Sequence, residues 1–155
     1  MRAARLTVSD RAHAGTYQDL GGPELEKVFS SLWKEPIAWS SAIVPDEKEK
    51  ISSTLRKWVK EGISLILTTG GTGPMARDVT PEATRAVLEK ELPGLAEAQR
   101  WTSFPKAPTS ILSRAVAGVA GKSLIINLPG NPKAIGECLP PLLPAIRECL
   151  RHLTE

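Results

Sequence analysis

The sequence holds little of what disulfide scaffolds and metal centres are built from. Its 155 residues include two cysteines and two histidines, and neither Cys138 nor Cys149 belongs to a CxxC pair. A disulfide framework or a zinc site needs more such residues at closer spacing. His13 and His152 are far apart in the sequence and do not suggest a metal cluster. We therefore expect buried, reduced thiols and no thiolate or imidazole metal site.

Long apolar runs and blocks of like charge are also missing. No segment approaches the roughly 20 apolar residues of a membrane-spanning helix, and residues 1–10, MRAARLTVSD, lack the long apolar segment of a secretory signal. The formal net charge of +3 is scattered along the chain, which argues against a nucleic-acid footprint. These features predict a cytoplasmic protein that binds neither membrane nor nucleic acid.

Short apolar strands alternate with amphipathic helices along the chain. We predict strands at residues 4–8, 37–44, 63–67, 113–119 and 123–128, the last two joined as a hairpin by a turn containing Gly121. ISLIL and LIINL are apolar on both faces, which is typical of central parallel strands covered by helices on both sides. The pattern predicts an α/β fold, a three-layer sandwich with a mostly parallel central sheet plus a hairpin, in a single domain over residues 1–155.

Several residues have the character of helix caps. Asp46 and Glu49 have the spacing of a capping box, Thr80 precedes Pro81 as an N-cap would, and Asn131 precedes the proline that opens the last helical segment. Prolines 140, 141 and 144 predict a kink or a restart in that segment.

The tryptophans allow a prediction about the core. Trp33, Trp58 and Trp101 lie on helical stripes and are predicted to be buried, whereas Trp39 is predicted to lie on a strand face.

Four polar or glycine-rich stretches follow predicted strands. They cover residues 9–11, which include Ser9 and Asp10, and residues 45–46, 68–78 and 129–133. Ligands of open α/β sheets bind at the carboxyl ends of the strands. We therefore expect these four stretches to converge on one rim of the sheet, and this convergence is a stronger signal than any single motif.

The stretch LTTGGTGPMARDVTPEAT, residues 67–84, carries the strongest functional signal. Gly70, Gly71 and Gly73 would let backbone N–H groups turn toward a bound anion, and Thr72 with the threonines before it would add hydroxyl donors. The pattern is neither a P-loop nor GxGxxG. A plain tight turn after a strand is the alternative, and the residues alone leave both interpretations open.

Two aspartates accompany this loop. Asp78 is not needed as a helix cap, because Thr80 already occupies that position, although a local turn-forming role is the alternative. For Asp46 the alternative is a purely structural role as an N-cap. Two carboxylates beside a phosphate cradle can hold Mg²⁺, which then bridges and neutralises the phosphates. We therefore predict Asp46 and Asp78 as functional residues and metal ligands.

Further candidate anion ligands lie later in the chain. Asn131 and Lys133 start the last helical segment, whose free amides would attract an anion, although Lys133 could equally be a solvated surface residue. Ser110, Ser113 and Arg114 lie before a predicted strand. Arg114 could hold a second phosphate through two parallel hydrogen bonds, and a surface ion pair is the alternative.

Five segments together resemble a known family. VSDR, VPDE, LTTGGTGPMARDVTPEAT, ILSRAVAG and LIINLPGNPKAIGECL, in this order and spread over nearly the whole chain, resemble the MogA/MoaB family of molybdenum cofactor biosynthesis, to which the G domain of gephyrin is related. The resemblance implies a Mg²⁺-dependent transfer of AMP from ATP to molybdopterin by a homotrimer, with a hand-over to a molybdate-insertion protein. A non-catalytic molybdopterin-binding or scaffold protein of the MoaB type is the alternative.

The resemblance also implies roles for individual residues. The family's two important aspartates fall on Asp46 and Asp78, and its nucleotide loop falls on residues 70–73. Further nucleotide contacts are implied at Pro129, Gly130 and Asn131, and molybdopterin contacts near Ser110, Ser113 and Arg114. The attacking group is itself a phosphate anion, so the reaction needs positioning and charge neutralisation rather than a general base.

Overall fold

The computed structural model describes residues 1–155 and is built around one six-stranded sheet. In chain order the strands are β1 Arg2–Val8, β2 Ala38–Val44, β3 Leu65–Thr69, β4 Lys90–Glu91, β5 Ala117–Ala120 and β6 Ser123–Leu128. The α-helices are α1 Asp10–His13, α2 Gly21–Trp33, α3 Lys48–Lys60, α4 Thr80–Arg85, α5 Pro93–Ser103, α6 Pro132–Cys138 and α7 Leu143–Thr154. Two short 3-10 helices span Pro108–Leu112 and Pro140–Leu142.

The strands lie across the sheet in the order β2-β1-β3-β6-β5-β4. The first four are parallel, whereas β5 and β4 are antiparallel to their neighbours. Helices cover both faces of this sheet. The predicted three-layer α/β fold with a mostly parallel sheet and a hairpin is therefore confirmed. None of the helices has the length and apolar composition needed to cross a membrane.

The two central strands, β3 and β6, are buried along their whole length. In β3, Leu65 and Leu67 face a cluster formed with α2, α5, α6 and α7, whereas Ile66 faces a second cluster formed with α3 and α4. Complete burial of one such side chain stabilises the fold by about 1.5–3 kcal/mol. The same burial holds the carboxyl ends of β3 and β6 side by side, and two of the candidate loops leave the sheet there.

Several predicted boundaries differ from the structure. β3 ends at Thr69, two residues beyond the predicted ISLIL strand, and β5 begins at Ala117 rather than at residue 113. Residues 10–13 and 108–112, where no helix was predicted, form short helices. β4 was not predicted, because a two-residue edge strand is too short for any periodic pattern. The restart after the prolines is confirmed, since α7 follows the short helix Pro140–Leu142.

Two of the three predicted caps are wrong. α3 begins at Lys48 with Glu47 as its N-cap residue, so Asp46 lies outside the helix. Thr80 is already inside α4, and its hydroxyl donates to the carbonyl oxygen of Gly70 at 2.9 Å. The third cap is confirmed, because the side chain of Asn131 accepts from the amide of Lys133 at 3.0 Å. Because neither Asp46 nor Thr80 caps a helix, both side chains form contacts at the rim instead.

The core prediction fails at Trp101. Its side chain is 66% exposed and packs edge-on against Phe104 with ring centroids 5.6 Å apart, whereas Trp33 and Trp58 are buried as predicted. Helical spacing predicts an apolar stripe on α5, but it does not show which residues of that stripe pack against the sheet. The thiol prediction holds for Cys138, which is free and buried; Cys149 is free and half-buried.

Candidate functional site

The glycine loop after β3, residues 70–73, is threaded between the ends of β1 and β6. Gly70 has φ of 96° and its amide donates to the carbonyl oxygen of Leu128 at 3.3 Å. A Cβ atom at this position would collide with the carbonyl oxygen of Val8. Glycine is therefore required at position 70 by backbone conformation and by the neighbouring strand, whether or not a ligand binds.

The two predicted aspartates border this same loop. A Cβ atom placed at Gly71 would lie 3.2 Å from Asp46 Oδ1, and one placed at Gly73 would lie 2.8 Å from Asp78 Oδ2. The carboxylates come from different segments, one after β2 and the other just before α4. The fold thus brings to one loop two acidic side chains that are 32 positions apart in the sequence.

Reciprocal hydrogen bonds join the loop after β1 to the loop after β2. The amide of Asp10 donates to Asp46 Oδ2, and the amide of Asp46 donates to Asp10 Oδ1, both at 2.9 Å. Arg77 then binds both carboxylate oxygens of Asp10, with N–O distances of 2.8–3.0 Å. Ser9 caps α1, because its hydroxyl accepts from the amide of Ala12. The three loops around Asp46 are therefore tied to one another.

The electrostatic environments of Asp46 and Asp10 differ. Burial raises the pKa of the Asp46 carboxyl, and the negative charges of Asp10 and Asp78 raise this pKa further against the opposing hydrogen bond from the Asp10 amide. The side-chain hydrogen bonds from Arg77 hold the pKa of Asp10 below its ordinary value. Asp46 is therefore the carboxylate that lacks a cationic hydrogen-bond partner, and a cation bound beside it would favour its charged form.

The donor set has the composition that Mg²⁺ prefers. Asp46 and Asp78 each use Oδ2 to accept a backbone amide, from Asp10 and Met75 respectively, and neither Oδ1 accepts a hydrogen bond within the chain. No group of three or more histidine, cysteine or acidic side chains forms a complete metal cage. Mg²⁺ is commonly held by one or two carboxylates together with substrate phosphates. The two free oxygens fit that mode of binding.

The threonine hydroxyls at the end of β3 form hydrogen bonds within the protein. Thr69 donates to the carbonyl oxygen of Pro129 at 2.8 Å, and Thr68 accepts from the side chain of buried Asn127 at 3.0 Å. Thr72 is buried, and its carbonyl oxygen accepts from the amide of Arg114 at 2.8 Å. The expectation that these hydroxyls would donate to an anion is wrong for Thr69, which donates within the chain, and Thr68 is fully buried. Their hydrogen bonds instead hold the loop against β6 and the loop after it.

Two cavities flank the loop after β6. The β1 cavity, of about 230 Å³, is lined by residues that include Ser9, Ala12, Gly70 and Gly130. The α6 cavity, of about 190 Å³, is lined by residues that include Ser110, Ser113, Pro129, Asn131 and Ala134. Because Pro129, Gly130 and Asn131 are consecutive, this short loop separates two spaces on the same rim.

Arg114 lines neither cavity. Its Nε donates to the carbonyl oxygen of Gly73 at 2.8 Å, its Nη2 donates to the carbonyl oxygen of Asp78 at 2.7 Å, and its Nη1 contacts Glu82. The alternative prediction, an ion pair, is therefore confirmed with Glu82 as the partner, and the guanidinium is engaged with the glycine loop and α4. Lys133, the other predicted cation, is exposed at the start of α6.

Sequence reasoning missed three charged residues at the site. Arg77 binds Asp10, Glu82 binds Arg114, and Arg100 donates to the carbonyl oxygens of Ser113 and Ala115 at 3.2 and 3.1 Å. Each of them lies in or beside a helical segment, where charged residues are usually solvated. Of the three, only Arg77 could have been linked to the site from the sequence, because it is adjacent to Asp78.

Comparison with known proteins connects this rim to a family. The family model described as "Probable molybdopterin binding domain" matches residues 4–148, which contain all of the candidate site residues. The chain belongs to this molybdopterin-binding domain family. A relative from Helicobacter pylori named "Molybdopterin adenylyltransferase" is 49% identical over 146 residues, which cover 94% of this chain and 83% of that protein.

Solved structures of the molybdopterin-binding domain family agree with the fold. A structure described as MogA superposes with a TM-score of 0.93 at 39% identity and covers 99% of both chains. The molybdopterin biosynthesis enzyme MoaB from Thermus thermophilus superposes with a TM-score of 0.90 at 44% identity, covering 99% of this chain and 96% of that one. The predicted resemblance to the MogA/MoaB family is confirmed.

Proposed function

We propose that this chain is a molybdopterin adenylyltransferase, which transfers AMP from ATP to molybdopterin in molybdenum cofactor biosynthesis. The observation that carries the proposal is the meeting of Asp46 and Asp78 at one glycine loop, whose first residue, Gly70, lines the β1 cavity. The arrangement suits a reaction that joins two phosphate-bearing substrates. The relatives named molybdopterin adenylyltransferase support the same activity.

The reaction places simple demands on the protein. An oxygen of the terminal phosphate of molybdopterin attacks the α-phosphorus of ATP, the bond to the β-phosphate breaks, and pyrophosphate leaves. The attacking oxygen is already anionic, so no proton has to be removed. The protein must therefore align two polyanions and exclude water, which agrees with a site built from backbone groups and carboxylates.

We propose that Asp46 and Asp78 hold Mg²⁺ through their free Oδ1 atoms. Bound Mg²⁺ supplies positive charge that neutralises the phosphates. The residues themselves are already oriented, because each Oδ2 is fixed by a backbone amide. The amides of residues 71–73 would face the phosphates, while Thr80 fixes the loop through its hydrogen bond to Gly70.

The two cavities suggest separate places for the two substrates. We assign ATP to the β1 cavity, whose lining includes Ser9, Gly70 and Gly130. Molybdopterin is assigned to the α6 cavity, whose lining includes Ser110 and Ser113. The loop at residues 129–131 then lies between the substrates, where transfer must occur.

The decisive experiment is incubation of the purified protein with ATP, Mg²⁺ and molybdopterin, followed by mass detection of adenylylated molybdopterin and assay of pyrophosphate. We expect both products to form together, and to disappear when Mg²⁺ is chelated. Binding of molybdopterin without pyrophosphate release would contradict the proposal and would favour a non-catalytic binding or scaffold protein.

A pair of cavity-filling variants tests the assignment of the substrates. Ala12→Phe should weaken ATP binding at least about tenfold with little change in molybdopterin binding, and Ala134→Phe should do the reverse, because each ring would occupy one cavity. Titration calorimetry with each ligand measures both effects. Each variant is the control for the other, and equal effects of both variants on both ligands would refute the assignment.

We further propose that the protein acts as a homotrimer and passes its product to a molybdate-insertion protein. Light scattering is expected to give three times the mass of the 16.7 kDa chain. A monomer at micromolar concentration that still turns over would contradict the trimer.

A further inference from the structure

Arg114 is attached to both ends of the segment between Thr72 and Asp78. Its amide binds the carbonyl oxygen of Thr72, its Nε binds that of Gly73, and its Nη2 binds that of Asp78, at 2.7–2.8 Å. One residue from the segment before β5 thus closes a loop that lies more than 35 positions earlier in the sequence. Because backbone carbonyls are held at both ends, this loop has little freedom to move. The position of Asp78 is therefore restricted.

Glu82 holds the guanidinium of Arg114 from the other side. It lies in the first turn of α4, and its Oε1 contacts Arg114 Nη1. Its second oxygen, Oε2, is buried and has no hydrogen-bond partner. The hydrogen bond from Arg114 lowers the pKa of Glu82. The two side chains are 36% and 43% exposed, yet one carboxylate oxygen is buried without a partner, which is uncommon in native structures.

We propose that Arg114 and Glu82 form a positioning pair that fixes the glycine loop and thereby aims the carboxylate of Asp78. This inference rests on the proposed function, since it assigns these residues a role in AMP transfer. Arg114 acts through Asp78 and Gly73 and contacts neither cavity. Glu82 acts indirectly, by orienting the guanidinium of Arg114.

Arginine is needed here because its planar group presents several N–H donors in fixed directions. The three acceptors of the Arg114 guanidinium are the carbonyl oxygens of Gly73 and Asp78, at the two ends of the loop, and the carboxylate of Glu82. A lysine ammonium could retain the charge but could not reach all three with the same geometry. The pair should therefore tolerate Arg114→Lys poorly even though the net charge is unchanged.

The chain contains a matched control pair, with Arg85 on the same helix, α4, and Glu91 on β4. Arg85 and Glu91 form an Arg–Glu pair with an N–O distance of 2.7 Å, half exposed on both sides and without contact to the glycine loop. Arg85→Lys and Glu91→Gln make the same side-chain changes as Arg114→Lys and Glu82→Gln. Any effect common to both pairs reflects the change of residue type alone.

The first measurement is hydrogen exchange of the free protein, which needs no substrate. Arg114→Lys and Glu82→Gln should speed exchange of the amides in residues 72–80 at least about tenfold, while the sheet stays protected. Arg85→Lys and Glu91→Gln should leave that segment unchanged. Circular dichroism confirms that each variant is folded, and Glu82→Gln serves as the milder change if a variant of Arg114 fails to fold.

The second measurement separates positioning from substrate binding. In Arg114→Lys and Glu82→Gln we expect kcat to fall about 10–100-fold, as for other residues that orient ligands indirectly. The Mg²⁺ concentration for half-maximal rate should rise, while KM for each substrate changes little.

The outcomes separate this inference from the proposed function. An inactive wild-type protein would refute the adenylyltransferase proposal itself. An active wild type, with Arg114 and Glu82 variants that match their controls in loop exchange and in Mg²⁺ dependence, would refute only the positioning pair. A rise in KM for molybdopterin with kcat unchanged would likewise refute it, since that result would make Arg114 a substrate ligand.

Discussion

Replacing Asp78 with asparagine is expected to abolish AMP transfer while the protein stays folded. The carboxylate lies beside Gly73, and its Oδ2 accepts the amide of Met75 at 3.0 Å. Asparagine can still accept that amide through its own side-chain oxygen, so the local turn should survive. The lost negative charge removes a ligand for Mg²⁺, and we expect a loss of about 10³-fold in kcat, or ~4 kcal/mol of transition-state stabilisation.

The measurement is the rate of pyrophosphate release, with thermal unfolding as the test of folding. Glu49→Gln is the matched control, because it removes one negative charge from the exposed first turn of α3 and should leave the rate unchanged. Asp46→Asn should resemble Asp78→Asn. Turnover of Asp78→Asn within about threefold of wild type would contradict the role of this residue, since a metal ligand contributes several kcal/mol.

Gly70→Ala is expected to destabilise the whole protein rather than only its site. The backbone at Gly70 has φ of 96°, and the added methyl group would collide with the carbonyl oxygen of Val8, which belongs to a central strand and cannot rotate away. Positive φ and overpacking together suggest a loss of about 2–4 kcal/mol in the free energy of unfolding. For a chain of this length, that corresponds to a fall of roughly 5–15 °C in the melting temperature.

Gly136→Ala is the control for that measurement. Gly136 lies inside α6, and a Cβ atom there would meet no other atom within 4 Å. Alanine at an exposed helix position should stabilise the fold by about 0.5–1 kcal/mol. Differential scanning calorimetry of both variants decides the matter, and a Gly70→Ala protein with the melting temperature of wild type would show that the loop can shift away from β1.

The fold was predictable because its central strands carry an unambiguous pattern. ISLIL and LIINL are apolar on both faces, and a strand of that kind is stable only where helices cover both sides. The rim followed from topology, because four polar stretches follow strands whose carboxyl ends point the same way. Asp78 was singled out because Thr80 was predicted to cap the next helix, but Thr80 lies inside α4, so that part of the reasoning did not hold.

The prediction of Asp46 as a cap failed for a physical reason. A carboxylate near a helix start can bond to the helix amides or to a neighbouring loop, and the spacing to Glu49 is compatible with both. In the folded chain the amide of Asp10 competes successfully for Asp46. That amide lies 36 positions away, so no local pattern could reveal it.

By itself, the sequence determined the α/β class, the parallel centre of the sheet and the stretches that form the rim, because periodicity and glycine content are local properties. Only the tertiary structure decided what each polar side chain binds. Arg114 was predicted either to hold a phosphate or to form an ion pair, and it binds Gly73, Asp78 and Glu82, while the Thr69 hydroxyl binds the loop after β6 rather than a ligand. Hydrogen-bond partners are set by which segments meet in space, and that depends on the packing of the entire chain.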